Sequence, residues 1–274
     1  MGWRQRFEDR ALIMGILNVT PDSFYDGGRF YSRDAAIEHA LRMTHEGADI
    51  IDVGGESTRP FSEVTPIDDE LERVIPVIEA IKKRTGAFVS IDTYKAEVAR
   101  AALEAGADMI NDISGLTFDV AMADVAARSG APVAIMHIKG TPKDMQVAPH
   151  YDDVVREITE FFSERMAFAK QRGIAEENIV LDPGIGFGKR LADNLTIIRD
   201  LRRFGRLGRP ILIGTSMKSF LGKLAGSTDP EERVEGTLAS TALALWNGAD
   251  IIRVHDVGKA KKVAVLVYAV QHAS

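Results

Sequence analysis

A nearly identical line occurs three times in this chain, and it limits the possible folds more than any other feature of the sequence. The copies are Glu46–Ile51, Ala105–Ile110 and Asn247–Ile252, and each contains Gly-Ala-Asp. Each follows a helical stretch, ends it with a glycine and then enters a short apolar strand. Polar residues come directly after these strands. The repeated unit is therefore a helix, a glycine stop, a buried strand and a polar strand end, as in α/β proteins that place their chemistry at strand ends.

Apolar strand-like runs alternate with helical patterns along the whole chain. Strands are predicted at 12–17, 50–53, 88–91, 109–111, 133–136, 179–181, 211–213 and 251–254. Helices are predicted near 34–46, 68–84, 94–105, 119–129, 152–172, 192–204, 231–247 and 258–271. Eight strand–helix units in 274 residues predict a single (β/α)₈ TIM barrel, which forms one domain over 1–274. The site is expected at the C-terminal ends of the strands. A doubly wound sheet usually carries a glycine fingerprint after its first strand, whereas here Asn18-Val19-Thr20-Pro21 follows.

Composition narrows the classes of partner. The net charge of -6 offers no basic footprint for nucleic acid, and no apolar run approaches the roughly 18 residues of a membrane helix. The first residues are too polar for a secretory signal. The absence of cysteine excludes disulfides and thiolate metal sites and agrees with a cytoplasmic location. We therefore expect a small-molecule substrate, with neither nucleic acid nor a membrane as partner.

A barrel would bring the ends of all its strands to one mouth. The acidic and amide side chains expected there are Asp92, Asn111 and Asp182, and the cations are Arg59, Lys218 and Arg253. This combination suits a ligand with a hydrogen-bond-donating ring and an anionic tail. The aspartate of each repeated line precedes its strand, so Asp49, Asp108 and Asp250 are expected at the opposite, stabilising end.

Two local motifs leave alternatives open. The string Asp182–Lys189 places three glycines around Ile185 and Phe187, which indicates either backbone close to a flat ligand or a flexible loop. Lys218, beside two serines at a helix start, fits an anion site, a solvated lysine or the Schiff-base lysine of an aldolase. Two carboxylates at the mouth also fit a glycosidase. Against that class, the two tryptophans, Trp3 and Trp246, both lie away from the predicted strand ends.

Six strings of this chain, taken together, resemble the dihydropteroate synthase family. They are Met14–Phe24, Asp52–Pro60, Ile91–Thr93, Asn111–Gly115, Asp182–Lys189 and Arg253–Asp256, and they match in order across essentially the whole chain. The resemblance implies a transferase of folate biosynthesis that joins 6-hydroxymethyl-7,8-dihydropterin pyrophosphate to p-aminobenzoate and releases pyrophosphate. It also implies a barrel fold, a homodimer and Mg²⁺ that accompanies the pyrophosphate.

The resemblance further implies a role for each matching site residue. The implied catalytic residues are Asp22, Arg59 and Lys218, and the implied metal ligand is Asn18. The implied substrate-binding residues are Thr58, Pro60, Asp92, Asn111, Asp182, Phe187, Lys218, Ser219, Arg253 and His255. Asp92, Asn111 and Asp182 would accept hydrogen bonds from the pterin N–H groups. Arg253 would stack on the ring, and Ser219 would bind the benzoate carboxylate. A dissociative displacement is expected, with Asp22 stabilising the cation that the arylamine attacks.

The chain departs from the family pattern at two positions. Met217 stands where the family usually has arginine, and Phe61 stands where it usually has glycine. A pterin-binding methyltransferase would share Asp92, Asn111 and Asp182. It gives no reason for Thr20–Phe24, the first of the two long active-site loops that the resemblance implies, to occur together with Lys218. A catalytically silent paralogue would agree with Met217 but not with an intact first loop.

Overall fold

Eight parallel strands form a ring in the described part of the chain. The structure is a computed structural model that describes residues 3–7, 10–20 and 28–273, of which residues 6 and 28–32 are described by their backbone alone. The strands are β1 (Leu12–Asn18), β2 (Ile50–Gly54), β3 (Phe88–Asp92), β4 (Met109–Asp112), β5 (Val133–Met136), β6 (Ile179–Asp182), β7 (Leu212–Ile213) and β8 (Ile251–Val254). They lie in the order β6-β5-β4-β3-β2-β1-β8-β7, and pairing of Leu181 with Ile211 closes the ring. The predicted (β/α)₈ barrel is confirmed.

The helices surround this ring and largely match the sequence pattern. They are α1 (Gly28–Glu46), α2 (Ile67–Arg84), α3 (Ala96–Glu104), α4 (Met122–Ser129), α5 (Val154–Gln171), α6 (Leu191–Arg199), α7 (Arg202–Gly205), α8 (Ser219–Ala225), α9 (Val234–Trp246) and α10 (Val257–Gln271). The pattern near 192–204 divides into α6 and α7, and α1 begins before its predicted start near 34. In the described part of the chain, every helix is too short or too polar to span a lipid bilayer.

Alternate residues of each strand face the inside of the barrel. At its amino-terminal end this interior is apolar and consists of Leu12, Met14, Ile50, Phe88, Met109, Ala134, Val180, Leu212 and Ile251, with Trp3 packed against them. The intervening strand residues pack against the helices in a second, larger cluster. Because side chains alternate with a period of two, the inward positions above the apolar layer are Asp52, Asp92, Asn111, Asp182 and Arg253. Strand periodicity therefore carries these polar residues to the opposite end of the barrel.

The aspartate of each repeated line binds the start of the neighbouring strand. Its carboxylate accepts a backbone N–H in three equivalent pairs, which are Asp49 with Ile13 (2.9 Å), Asp108 with Val89 (2.9 Å) and Asp250 with Ile211 (2.8 Å). A cation lies beside each carboxylate, in the same order Arg10, Lys82 and Arg4. The predicted stabilising role of these aspartates thus has a specific form, since each one fixes the register of two adjacent strands.

We expect Asp49→Ala to lower the free energy of unfolding by about 1–3 kcal/mol, because the Ile13 N–H would be left unpaired at a buried strand start. Urea denaturation of the variant and the parent protein measures this difference. Glu164→Ala, which truncates an exposed side chain on α5, is the matched control and should change stability by less than about 0.5 kcal/mol. Equal losses in the two variants would contradict the proposed strand-fixing role.

Candidate active site

One register row crosses four neighbouring strands at the mouth of the barrel. Asn18 of β1 is paired with Gly54 of β2, Gly54 with Asp92 of β3, and Asp92 with Asn111 of β4. A Cβ atom on Gly54 would lie 3.4 Å from the Cβ of Asp92 and 3.8 Å from Oδ1 of Asn18. A Cβ there would be in ordinary van der Waals contact with both residues, so the glycine keeps a side chain out from between the amide of Asn18 and the carboxylate of Asp92.

Arg253 joins two of the carboxylates inside the barrel. Its Nε lies 2.6 Å from Oδ2 of Asp52, and its Nη2 lies 2.6 Å from Oδ2 of Asp92. Asn111 donates its Nδ2 to the same Asp52 oxygen at 3.0 Å. Because the amide nitrogen is engaged in this way, the amide oxygen of Asn111 is left to accept a hydrogen bond from a ligand.

Each of these two carboxylates keeps one further acceptor atom. Oδ1 of Asp52 and Oδ1 of Asp92 are buried and find no hydrogen-bond partner among the residues that the structure describes. Burial raises the pKa of Asp92 above its ordinary value, while the Arg253 guanidinium opposes that shift. Burial also acts against the charge of Arg253, but Asp52 and Asp92 outweigh it and raise the pKa of the guanidinium. The site is therefore rich in acceptors for N–H groups.

The glycine-rich loop after β6 is built around Asp182. Its Oδ1 accepts the backbone N–H of Gly184 at 2.7 Å, and burial raises the pKa of Asp182 to about 6. Gly184 has φ of +67°, and a Cβ there would lie 2.1 Å from the carbonyl oxygen of His137. Lys189 fixes the far end of the loop, since its Nζ contacts the carbonyl oxygen of Phe187 at 3.0 Å and Nδ1 of His137 at 3.0 Å. Hydrogen bonds therefore hold the loop at both of its ends.

Lys218 and Phe187 form one wall of the mouth. Nζ of Lys218 lies 4.0 Å from the centroid of the Phe187 ring. A Cβ on Gly186 would lie 3.3 Å from Cδ of Lys218, so the glycine makes room for the lysine stem. Burial, followed by the charge of Arg253, lowers the pKa of Lys218 to about 8. The amine therefore remains largely protonated near neutral pH and can act as a hydrogen-bond donor.

His255 lies at the more exposed, cationic side of the mouth. Its Nδ1 is 2.9 Å from Oγ of the buried Ser216. Desolvation and the positive charges of Arg253, Lys218 and Arg59 lower the pKa of His255. An anion bound here would reverse part of that effect, because it would favour the charged imidazolium. This side of the site is thus suited to a phosphate group.

The predicted site residues separate into three groups. The structure brings together Asn18, Asp92, Asn111, Asp182, Phe187, Lys218, Arg253 and His255 at the strand ends. The residues Thr58, Arg59, Pro60 and Ser219 lie in the loop after β2 and at the start of α8, and of these Arg59, Pro60 and Ser219 are exposed. The remaining prediction, Asp22, falls outside the described residues.

Sequence reasoning missed two residues that hold the site together. Asp52 was visible as a strand residue, and its spacing of two from Gly54 places it on the inward face, but nothing local indicated its contact with Arg253. Ser216 is one of the two serines beside Lys218, but its contact with His255 depends on the pairing of β7 with β8.

Comparison with known proteins gives the same family from sequence and from structure. The family model described as pterin binding enzyme matches residues 14–255. A dihydropteroate synthase from Synechocystis is 51% identical over 248 residues, which cover 90% of this chain and 86% of that protein. The chain belongs to the dihydropteroate synthase family.

Solved structures of this family superpose closely on the barrel. The Xanthomonas albilineans dihydropteroate synthase with 4-aminobenzoic acid has a TM-score of 0.92 and 46% identity, covering 97% of this chain and 95% of that one. The same organism's enzyme in complex with 7,8-dihydropteroate has a TM-score of 0.89 and 44% identity, again covering 97% and 95%. The resemblance stated from the sequence is confirmed.

Both departures from the usual dihydropteroate synthase pattern have a left-handed backbone. Phe61 has φ of 66° and Met217 has φ of 59°. The N–H of Phe61 donates to the carbonyl oxygen of Pro142 at 2.9 Å, which holds the loop tip against the loop after β5. A glycine would adopt this conformation without strain, whereas an aromatic side chain pays a steric cost.

We expect Phe61→Gly to have a higher free energy of unfolding than Phe61→Ala, by about 1 kcal/mol, because alanine keeps the steric cost of positive φ. The ring itself is largely exposed, so both variants lose little packing. Urea denaturation of the two variants side by side measures the difference. If alanine proves as stable as glycine at this position, the left-handed conformation is not a source of strain.

Proposed function

We propose that the protein is a dihydropteroate synthase of folate biosynthesis. It would join 6-hydroxymethyl-7,8-dihydropterin pyrophosphate to p-aminobenzoate, forming 7,8-dihydropteroate and releasing pyrophosphate. The relatives that bear this name, and the related structures with 4-aminobenzoic acid and 7,8-dihydropteroate, support the proposal. The observation that carries it is the set of inward acceptors at Asp92, Asn111 and Asp182, which face the same space as Lys218. A cytoplasmic location is part of the same proposal.

The pterin ring is proposed to bind deepest in the mouth. Its aminopyrimidine edge is rich in N–H donors, which the carboxylates of Asp92 and Asp182 and the amide oxygen of Asn111 can accept. Lys218 would donate to the carbonyl side of the ring, and its proximity to Phe187 supports this orientation. Arg253, whose Nε is held on Asp52, would stack on the ring face through its planar guanidinium.

The pyrophosphate is proposed to lie at the cationic side of the mouth. Its negatively charged oxygens would form ion pairs with Arg253, Arg59 and His255. Thr58, in the loop after β2, would be a further hydrogen-bond donor. His255 would take up a proton as the anion binds. These groups act on charge that grows on the leaving oxygen, so they stabilise the transition state more than the bound substrate.

The reaction is proposed to be a dissociative displacement. The bond between the pterin methylene carbon and the pyrophosphate oxygen breaks first, and its electron pair leaves with the pyrophosphate. The electron-rich ring stabilises the resulting cation, and the arylamine nitrogen then attacks the carbon and loses one proton to water. An arylamine is a weak base that is neutral near pH 7, so its attack needs no strong general base. Asp22 is proposed to stabilise the cation, and Ser219 to bind the benzoate carboxylate beside Pro60 and Phe187.

Mg²⁺ is proposed to accompany the pyrophosphate, with Asn18 as its protein ligand. The residues fit such an ion, because the half-buried side chain of Asn18 offers an amide oxygen beside Gly54, which places no side chain next to it. Among the described residues there is no cluster of three histidine or acidic side chains that could hold a metal by itself. That agrees with an ion held mainly by substrate phosphates and few protein groups. When bound, it would supply positive charge to the leaving group.

A homodimer is also proposed, with α9 and α10 as the interface. Large exposed apolar side chains are concentrated on these two neighbouring helices, and they are Leu243, Trp246, Val265, Leu266, Tyr268 and Val270. Exposed apolar groups gathered on one face of a folded domain are typical of an association surface. A second copy of the chain is the partner that the family resemblance implies.

We expect Leu266→Glu to convert the dimer to a monomer, because a carboxylate would be buried in an apolar interface. Sedimentation velocity at micromolar concentration measures the change. Val120→Glu introduces the same charge at another exposed apolar position and should leave the assembly unchanged. A monomeric parent protein, or a Leu266 variant that remains dimeric, would exclude this interface.

The proposed activity is tested by measuring pyrophosphate release from the pterin pyrophosphate, with and without p-aminobenzoate and with and without Mg²⁺. We expect release and dihydropteroate formation when all three are present. A methyltransferase, a silent paralogue or an aldolase would form no dihydropteroate under these conditions. Complete inactivity would refute the proposal.

Two variants test the division of roles within the site. Asp92→Ala should reduce pterin affinity by about 100-fold or more, because it removes a charged acceptor and leaves Arg253 without that partner. Ser219→Ala should raise the KM for p-aminobenzoate by roughly fivefold, the value of one hydrogen bond, and leave pterin binding unchanged. Calorimetry with the pterin and steady-state kinetics measure the two effects. Equal losses of both ligands in both variants would contradict the assignment.

A further inference from the structure

A buried lysine beside the mouth contacts both ends of the second active-site loop. The loop comprises residues 55–66, between β2 and α2, and carries Thr58, Arg59 and Pro60. Lys95, at the start of α3, is only 7% exposed. Its Nζ contacts the carboxylate of Glu56 at the beginning of the loop and the carbonyl oxygen of Thr65 (2.7 Å) at its end.

The same ammonium group joins this loop to the barrel. Lys95 also contacts the carboxylate of Glu70 on α2, which is 1% exposed. Tyr94 donates its hydroxyl to the other oxygen of Glu56 at 2.7 Å, and both Tyr94 and Lys95 directly follow β3. Burial raises the pKa of Glu70, whereas the hydrogen bond and the charge of Lys95 oppose that shift. One lysine thus holds two carboxylates and a carbonyl, which come from the two ends of the loop and from α2.

Other contacts fix the loop where Lys95 does not reach it. Arg73 of α2 donates to the carbonyl oxygen of Gly55 at 2.8 Å, and a Cβ on Gly55 would lie 2.8 Å from Val74. At the tip, Phe61 donates its N–H to Pro142. Thr58, Arg59 and Pro60, which are proposed to contact substrate, lie between these points. Their positions therefore depend on the positions of the two loop ends.

We propose that Lys95 is a positioning residue for the arylamine and pyrophosphate side of the site. It contacts no substrate; it sets the path of the loop and therefore the positions of Thr58, Arg59 and Pro60. This inference rests on the proposed synthase function. Displacement of a substrate-contacting group by about 1 Å can reduce a rate by 100-fold, so the effect of a loosened loop on catalysis should be large.

A matched lysine at the other end of the barrel separates positioning from general stabilisation. Lys82 of α2 contacts Asp108 at 2.7 Å and the carbonyl oxygen of Ala87 at 3.2 Å. It therefore resembles Lys95 in pairing with a carboxylate and a backbone carbonyl, but it lies at the amino-terminal ends of β3 and β4. Lys82→Met should destabilise the protein without any effect on the loop.

The experiment compares Lys95→Met with Lys82→Met in the full-length protein. For Lys95→Met we expect kcat/KM for p-aminobenzoate to fall by roughly tenfold to 100-fold, while binding of a pterin without pyrophosphate stays within about twofold. Hydrogen exchange of the amides at residues 57–64 should accelerate in this variant. For Lys82→Met both the kinetic constants and the exchange of these amides should match the parent protein.

Tyr94→Phe keeps the test usable if Lys95→Met fails to fold. It removes one hydrogen bond to Glu56 and should produce the same changes in smaller measure, roughly twofold to fivefold. The proposal is overturned if these loop variants leave loop exchange and kcat/KM unchanged, or if Lys82→Met alters them equally. A parent protein without synthase activity would refute the proposed function alone, because the exchange comparison does not depend on turnover.

Discussion

The ion cluster formed by Arg253, Asp52 and Asp92 is the interaction on which the rest of the site depends. Carboxylates inside a barrel are unfavourable unless a counter-charge and hydrogen bonds compensate for the lost water. Arg253 supplies both, and it joins β8 to β2 and β3 across the interior. Asp52 in turn holds the amide nitrogen of Asn111, so the acceptor direction of that side chain is fixed as well. The interior can therefore present several acceptors to one ligand before the ligand arrives.

Much of the fold could be predicted because its signals are local. Gly47, Gly106 and Gly248 each have positive φ after a helix, as the helix-stop pattern predicts. The predicted helix boundaries that are wrong are those that tertiary packing determines. An example is the division near Asp200, where one predicted helix is two helices, α6 and α7. Strand spacing also indicated which polar residues come to one end of the barrel, and Asp92, Asn111 and Asp182 follow that pattern.

The contacts among these residues were not predictable in the same way. Arg253 lies 201 residues from Asp52 and 161 from Asp92 along the chain, and only the closed ring brings them together. Lys95 resembles any helix-start lysine in the sequence, since its partners come from a loop and from α2. The sequence likewise marks Phe61 as a departure from the family, but its left-handed backbone appears only in three dimensions. Long side chains and loop paths are set by packing, which local patterns do not encode.

The three aspartates at the amino-terminal end, Asp49, Asp108 and Asp250, have a consequence for how this chain can change over generations. Each satisfies a strand amide far from the residues that would contact substrate. Substitutions in the mouth can therefore alter ligand preference while the register of the strands stays intact. Substitution of these aspartates would weaken the pairing of the strands without changing the residues that select the ligand. The two ends of this barrel are thus open to largely independent selection.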